Sequence, residues 1–354
     1  MTMLTKKFTR VFLLLFFIFS FSELSALNYS YWHSFKERFV ESNGRVIDRM
    51  NGDISHSEGI SYGMFFAVTY GDKETFDKIF NWGEINLPKN QYGLYSWKWG
   101  KNQDNNWGIL DSNNATDGDM WIAYSLLLAY EKWNDINYLN KAKELIYYIK
   151  ENTIVTLEKK SFLLPGAYGF FKNDHMKINP SYYILFIFDK FSIYDHDPIW
   201  KNVVTDSIDM FKQSALGQLG IHPDWIKLST YDMKYQVLPL ESKYSYDAIR
   251  TPLFLAHYYQ LTKNPEVYNL LYGYKTLMAY IKRSGRVIYQ IDLLSEKILF
   301  KTPALGYYAV YDYLFKVFGF QPPEEFKSKI EKGVMYEKKD YYSFSLILFS
   351  DIFK

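Results

Sequence analysis

Apolar helical segments recur along this chain about every 60 residues, and that recurrence limits the fold more than any other feature. They begin near positions 59, 119, 181, 247 and 306, each behind a polar, glycine-containing or proline-containing stretch. Between them lie amphipathic segments with charged faces, at 73–82, 138–151, 199–212 and 265–281. A helix that is apolar nearly all round must be enclosed, whereas an amphipathic one needs a neighbour on one side only. The alternation therefore predicts an inner ring of buried helices inside an outer ring, two helices and their loops to each repeat. If the pairs close into a toroid, the inner helices run parallel and their N-termini meet at one end. Short β-like stretches at 93–99 and 287–291 are expected as hairpins or long loops on the rim.

Carboxylates stand at the mouths of three of these apolar helices. Glu58 precedes GISYGMFFAVTYG, Asp117 and Asp119 open TDGDMWIAYSLLLAYEKW, and Asp247 precedes AIRTPLFLAHYYQL. Glu58 and Asp117 are one repeat apart and Asp117 and Asp247 about two, so parallel inner helices would bring all three to one surface. Each has a structural reading beside the chemical one. Asp117 and Asp119 fall where an N-cap and first turn belong. Glu58 is either a complement to the helix dipole or a proton donor whose pKa is raised by apolar neighbours. Asp247 is either the salt-bridge partner of Arg250, three positions on, or a base that Arg250 keeps ionised.

The first residues belong to a different argument. Lys6, Lys7 and Arg10 precede an apolar run at 11–21, and small residues follow at Ser22, Ser25 and Ala26. This is the layout of a secretory signal peptide spanning 1–26, with cleavage after Ser22 as the competitor and an uncleaved anchor as the alternative. The run is shorter than the ~20 residues that span a bilayer. No polar tract is long enough to be a linker, so 27–354 is expected as one domain. Of 41 basic and 39 acidic side chains, removal of 1–26 takes three and one, leaving 38 of each. A neutral mature chain carries no electrostatic footprint for nucleic acid or an anionic membrane, and no stable membrane insertion is expected after cleavage. A neutral substrate in the periplasm or outside the cell fits better. Absence of cysteine excludes disulfides and thiolate metal sites.

Other chemistries have weaker support. Gly59, Ser61 and Gly63 satisfy the G-x-S-x-G pattern of a serine nucleophile elbow, but that turn needs a strand before it, and NGDISHSE has no β-branched run. His257 falls mid-helix, where a packed histidine is expected. The six histidines lack H-E-x-x-H spacing and no phosphate-cradling glycine loop occurs, so no metal or cofactor is expected. Trp97, Trp99 and Trp107 lie in the polar segment QYGLYSWKWGKNQDNNWG. There they are either stacking surfaces for sugar rings or packing beneath their own loop.

These segments together resemble glycoside hydrolase family 8. ATDGDMWIAYSLLLAYEKW is similar to the signature around that family's active-site aspartate, SEGISYGMF to the segment of its general acid, and SYDAIRTPL to that of its general base. RVID at 45–48, WKWGK at 97–101, LDSNNATDGD at 110–119, LLPG at 163–166 and NPSYY at 179–183 follow in the same order, so the resemblance runs from about Trp32 to Phe349. Within the family it is strongest to the periplasmic endoglucanases that accompany bacterial cellulose synthases. The resemblance implies an all-α (α/α)6 barrel and hydrolysis of β-1,4-glycosidic bonds with inversion. It implies Glu58 as general acid, Asp247 as general base and Asp117 as the group that binds and helps distort the sugar. Trp97 or Trp99, Tyr182, Tyr246 and Arg250 match substrate-lining positions. A β-1,4-glucan is the implied substrate and a cellulose synthase complex the implied partner; chitosan, xylan or lichenan are the alternatives, as is a noncatalytic glycan-binding role in exopolysaccharide secretion. Beyond Tyr272 the similarity thins to GYYAVYDYLF and DYYSFSLILF, which leaves the last helix pair and far subsites unassigned. Inversion requires carboxyl groups about 6.5 to 9.5 Å apart, with an acid still protonated near neutral pH.

Overall fold

The computed structural model describes residues 28–237, 241–299 and 302–354. The expected signal segment lies outside the described residues. Among those described, six helices form the inner ring: α2 (Ser57–Tyr70), α4 (Thr116–Trp133), α6 (Leu185–Asp195), α8 (Arg250–Thr262), α11 (Leu305–Val317) and α13 (Tyr341–Ile352). The outer ring is α1 (Tyr29–Phe39), α3 (Lys73–Asn86), α5 (Ile136–Thr153), α7 (Ile199–Ser214), the pair α9 (Pro265–Leu270) and α10 (Tyr272–Ser284), and α12 (Glu324–Tyr336). Successive inner helices touch and α13 packs back on α2, which closes an (α/α)6 barrel.

Burial follows the two helix types. Twelve of the 14 residues of α2 are buried, which only an enclosed position allows. Helix α7 buries Trp200, Val203, Met210 and Phe211 along one face and wets the other. At the barrel axis the Trp121 ring meets Phe65 at 4.8 Å, Phe349 at 5.0 Å, Phe254 at 5.6 Å and Phe186 at 5.7 Å, one ring from each of five inner helices. Each such buried ring contributes about 1.5–3 kcal/mol of transfer free energy, and together they give the barrel an aromatic centre.

The two ends of the barrel differ. Four inner helices end in left-handed residues, Gly71 (φ 76°), Asn134 (φ 54°), His196 (φ 59°) and Lys263 (φ 53°), and turn within a few residues into the outer helices. The return connections, from outer to inner helices, are mostly long and carry the strands. These form antiparallel sheets at the inner N-termini: β1 (Ser55–His56), β2 (Lys98–Lys101) and β3 (Trp107–Asp111); the hairpin β4 (Ile154–Leu157) and β5 (Lys160–Leu163); β6 (His175–Ile178), β7 (Ile226–Ser229) and β8 (Tyr235–Gln236); β9 (Lys243–Tyr244), β10 (Gln290–Asp292) and β11 (Lys297–Leu299).

The expected outer helix over 265–281 is interrupted at Leu271 (ψ −3°), and the hairpin expected at 93–99 begins only at Lys98, its partner strand being Trp107–Asp111. The sixth inner helix, α13, is the apolar DYYSFSLILF segment that the repeat had left unassigned. Among the described residues no helix is long and apolar enough to cross a membrane.

Candidate active site

The three carboxylates meet at one side chain. Arg250, in the first turn of α8 and buried, points Nη1 at Glu58 Oε2 (2.5 Å), the Tyr62 hydroxyl (2.9 Å) and Asp117 Oδ2 (3.3 Å), and Nη2 at Asp247 Oδ1 (2.9 Å). Burial of a guanidinium is tolerable only with such partners, and its planar fork can serve several oxygens at once. Beneath it Tyr62 stands edge-on to Trp121 (5.9 Å) and Phe349 (4.8 Å), so the charge cluster rests on the aromatic centre.

Local structure sets each carboxylate. Strand β1 runs directly into α2, and Glu58 is in that helix's first turn. Asp117 is in the first turn of α4, one residue before Gly118. A Cβ at Gly118 would lie 2.5 Å from Ser57 Oγ and 3.0 Å from the Glu58 nitrogen, so only glycine lets the two carboxylate-bearing turns approach this closely. Neither aspartate caps α4: its N-cap is Ala115, without a side-chain bond. Asp119 instead accepts the Tyr95 N–H (3.0 Å) and the Asn114 amide (2.9 Å), tying the rim loops to the helix. Asp247 lies in the turn before α8, and its second oxygen accepts from Asn179 Nδ2 (3.2 Å). That turn is pinned by Asp224, which accepts the Ala248 N–H (2.7 Å), the Ser245 N–H (3.2 Å) and the Ser245 hydroxyl.

Burial governs the electrostatics. It pushes Asp117 up to about 7, with Arg250 opposing and the charges of Glu58 and Asp247 reinforcing the rise. Asp119 also rises to about 7, chiefly through burial, with its hydrogen bonds from Tyr95 and Asn114 opposing. Asp247 is raised by burial, against the attraction of Arg250. Two expectations change here: Arg250 is not reserved for Asp247, because three carboxylates share it, and Glu58 faces a guanidinium where an apolar pocket was expected.

A groove of about 370 Å³ opens above the cluster, lined by Glu58, Asp117, Trp97, Tyr182 and Tyr246 among others. A second cavity of about 360 Å³ shares Asp48, Asn51 and Tyr246 with it and is bounded by Tyr342 and Tyr307. Tyr246 stacks on Tyr342 with centroids 4.0 Å apart, and the Tyr342 hydroxyl donates to the Tyr246 carbonyl (2.7 Å). Tyr182, in the 3-10 turn Pro180–Tyr182, places its ring 5.7 Å from the Arg250 guanidinium. Trp97 and Trp99 part company. Trp97 lines the groove, while Trp99 is packed between neighbours, stacked on Trp107 (4.7 Å), edge-on to Trp82 (5.2 Å) and close to Arg45 (4.7 Å). Asp48, His56, Asn179, Asp224 and Tyr342 join the site although residue pattern alone gave them no role.

Ser61 is buried one turn into α2 and donates to the Glu58 carbonyl (2.7 Å); although β1 precedes the helix, the hydroxyl faces no groove, which removes the elbow reading. His257 stacks on Phe353 at 3.7 Å, as a packed histidine should.

A sequence model described as "Glycosyl hydrolases family 8" matches residues 3–354. The chain belongs to this family. It is a glycoside hydrolase with the family's (α/α)6 architecture. An endoglucanase of Cellulomonas uda is 33% identical over 225 residues, which span 64% of this chain and 62% of that protein. One of Escherichia coli O157:H7 is 31% identical over 289 residues, 80% of this chain and 77% of that protein. The crystal structure of an endo-1,4-D-glucanase from Vibrio fischeri ES114 superposes with a TM-score of 0.81 at 30% identity, covering 91% of this chain and 94% of that one. Family 8 membership and the carboxylate cluster at the barrel mouth thus rest on independent observations.

Proposed function

We propose that this protein is an exported endo-β-1,4-glucanase that cleaves internal bonds of cellulose or a related β-glucan with inversion, in the periplasm or outside the cell. The observation that carries the reading is Arg250 bridging Glu58, Asp117 and Asp247 at the floor of an open, tyrosine-lined and tryptophan-lined groove. Glu58 is the general acid, Asp247 the base that activates water on the opposite face of the sugar, and Asp117 the group that holds and distorts the ring at the cleavage point. Arg250 holds acid and base through different nitrogens, Nη1 on Glu58 and Nη2 on Asp247, which keeps the two carboxylates apart, as an inverting pair must be. Trp97, Tyr182 and Tyr246 offer flat surfaces for the apolar faces of pyranose rings, and neutral ligands suit a chain whose charge is balanced. The endoglucanase names of its relatives favour glucan over xylan or chitosan. A role beside a cellulose synthase is the physiological setting we favour, on the sequence resemblance and the signal-like N-terminus.

Product analysis on carboxymethylcellulose, lichenan, xylan and chitosan in parallel tests the substrate. A proton NMR time course tests the stereochemistry. The α-anomer must appear first; an initial β-anomer requires a nucleophile about 5 to 5.5 Å from the acid and would move that role to Asp117.

A further inference from the structure

Glu58 stands in the first turn of a helix whose N-cap is a histidine. Where other helices of the barrel have a side-chain cap it is an aspartate or an asparagine, as at Asp72, Asp135, Asp340, Asn28 and Asn264. An imidazole can cap only through an unprotonated nitrogen. His56 Nδ1 accepts the Gly59 N–H at 3.0 Å, which places the ring proton on Nε2, and Nε2 lies 3.5 Å from Asp48 Oδ2. Asp48 is buried and is itself held by the Asn51 amide (2.6 Å) and the Met50 N–H (3.1 Å). The His56 backbone pairs with Lys98 in the rim sheet, the next residue's N–H donates to the Trp97 carbonyl (3.0 Å), and Tyr341 packs edge-on against the ring at 5.5 Å.

We propose that His56, oriented by Asp48, is a positioning residue for Glu58. By taking the Gly59 N–H it fixes the turn that aims the Glu58 carboxyl into the groove. By facing Asp48 it ties that turn to the groove wall, since Asp48 and Asn51 line the same groove as Glu58. A serine or aspartate at this position would cap the helix but would not span to Asp48. Acid and wall are thereby held as one piece. The inference rests on the reading of Glu58 as general acid.

The leaving group separates the two ideas. A sugar hydroxyl must be protonated as it departs, whereas dinitrophenolate leaves without help from an acid. The full-length protein and its His56→Ala, His56→Asn and Glu58→Gln variants are assayed on cellopentaose and on 2,4-dinitrophenyl β-cellotrioside. On cellopentaose His56→Ala should lose about ten- to a hundredfold in kcat with KM little changed, part of the ~10²–10⁴ that general acid catalysis supplies. On the activated substrate its kcat should return to within about threefold of the parent protein; His56→Asn, whose side-chain oxygen can take the Gly59 N–H but does not span to Asp48, should fall between His56→Ala and the parent on cellopentaose and return to within about threefold on the activated substrate. Glu58→Gln should show the same dependence on leaving group, more strongly. Equal loss for His56→Ala on both substrates, or on neither, overturns the positioning role while leaving Glu58 in place. If His56→Ala does not fold, His56→Asn decides: a partial loss of kcat on cellopentaose that disappears on the activated substrate supports the positioning role, and parental kcat on cellopentaose or an equal loss on both substrates overturns it. A Glu58→Gln protein equally impaired on both substrates removes the acid reading, and the positioning role falls with it.

Discussion

Arg250 donates to Glu58 at 2.5 Å across 192 positions of sequence, although its near neighbour Asp247 is only three positions away. The arginine is therefore the joint between three barrel repeats as well as part of the site. Arg250→Lys supplies one compact charge where a fork serves three carboxylates. Leaving buried carboxylates unpaired costs about 3–5 kcal/mol. Thermal unfolding should show a clear loss of stability, and kcat should fall at least about a hundredfold; a lysine variant with parental melting and turnover would rule this out.

Gly118→Ala adds a single methyl group against Ser57 Oγ and the Glu58 backbone. Overpacking of this kind costs about 1–3 kcal/mol. Because the strain falls between the turns carrying Glu58 and Asp117, turnover should drop well beyond what the lost stability explains. Kinetics measured far below the melting temperature check this.

The contribution of Asp117 and Asp119 to stability should fall as pH rises. The folded protein retains protons on Asp117 and Asp119 up to about pH 7, whereas the ordinary aspartate value is 3.8. Between those values the folded state binds more protons than the unfolded, so the stability present at the acid end is lost through the window. Asp119→Asn cannot ionise and should flatten the slope of melting temperature against pH. An unchanged slope would show that Asp119 does not carry it.

Trp97 and Trp99 should separate by assay. Trp97→Ala removes a groove surface and should raise KM for long cello-oligosaccharides about tenfold with little change in melting temperature, stacking of this kind being worth about 1–3 kcal/mol by analogy with other planar ligands. Trp99→Ala loses the contacts with Trp107 and Trp82 and should lower the melting temperature first.

Asp224 pins the turn of Asp247 and is itself pushed up to about 6 by burial and by Asp247. Asp224→Ala frees the Ser245 and Ala248 N–H groups. We expect kcat to fall more than tenfold with KM preserved, measured on carboxymethylcellulose, and a smaller loss for Asp224→Asn, which keeps an acceptor.

The ring of helices and the meeting of Glu58, Asp117 and Asp247 at its mouth were legible because burial writes itself into apolar periodicity, and parallel helices align whatever stands at their starts. What stayed hidden depends on contacts between distant segments. Asn179 reaches Asp247 across 68 positions, and Asp224 reaches Ser245 and Ala248 from a loop of no distinctive composition. Pattern made Arg250 a partner of Asp247 because spacing along one helix can report only that helix. Nor could composition tell Trp97 from Trp99, since alternate residues of one rim segment differ only in which neighbours the sheet brings against them.

The far end of the barrel, with its tight left-handed turns, has little room for additional chain. The rim end carries connections that leave and rejoin the helices at fixed points. Variation in length therefore has one place to accumulate, around the groove, where it reshapes the binding surface without disturbing the scaffold. An insertion between Lys101 and Trp107 should be accepted and should change which glucans are cut, while the same insertion beside Gly71 should cost the fold itself.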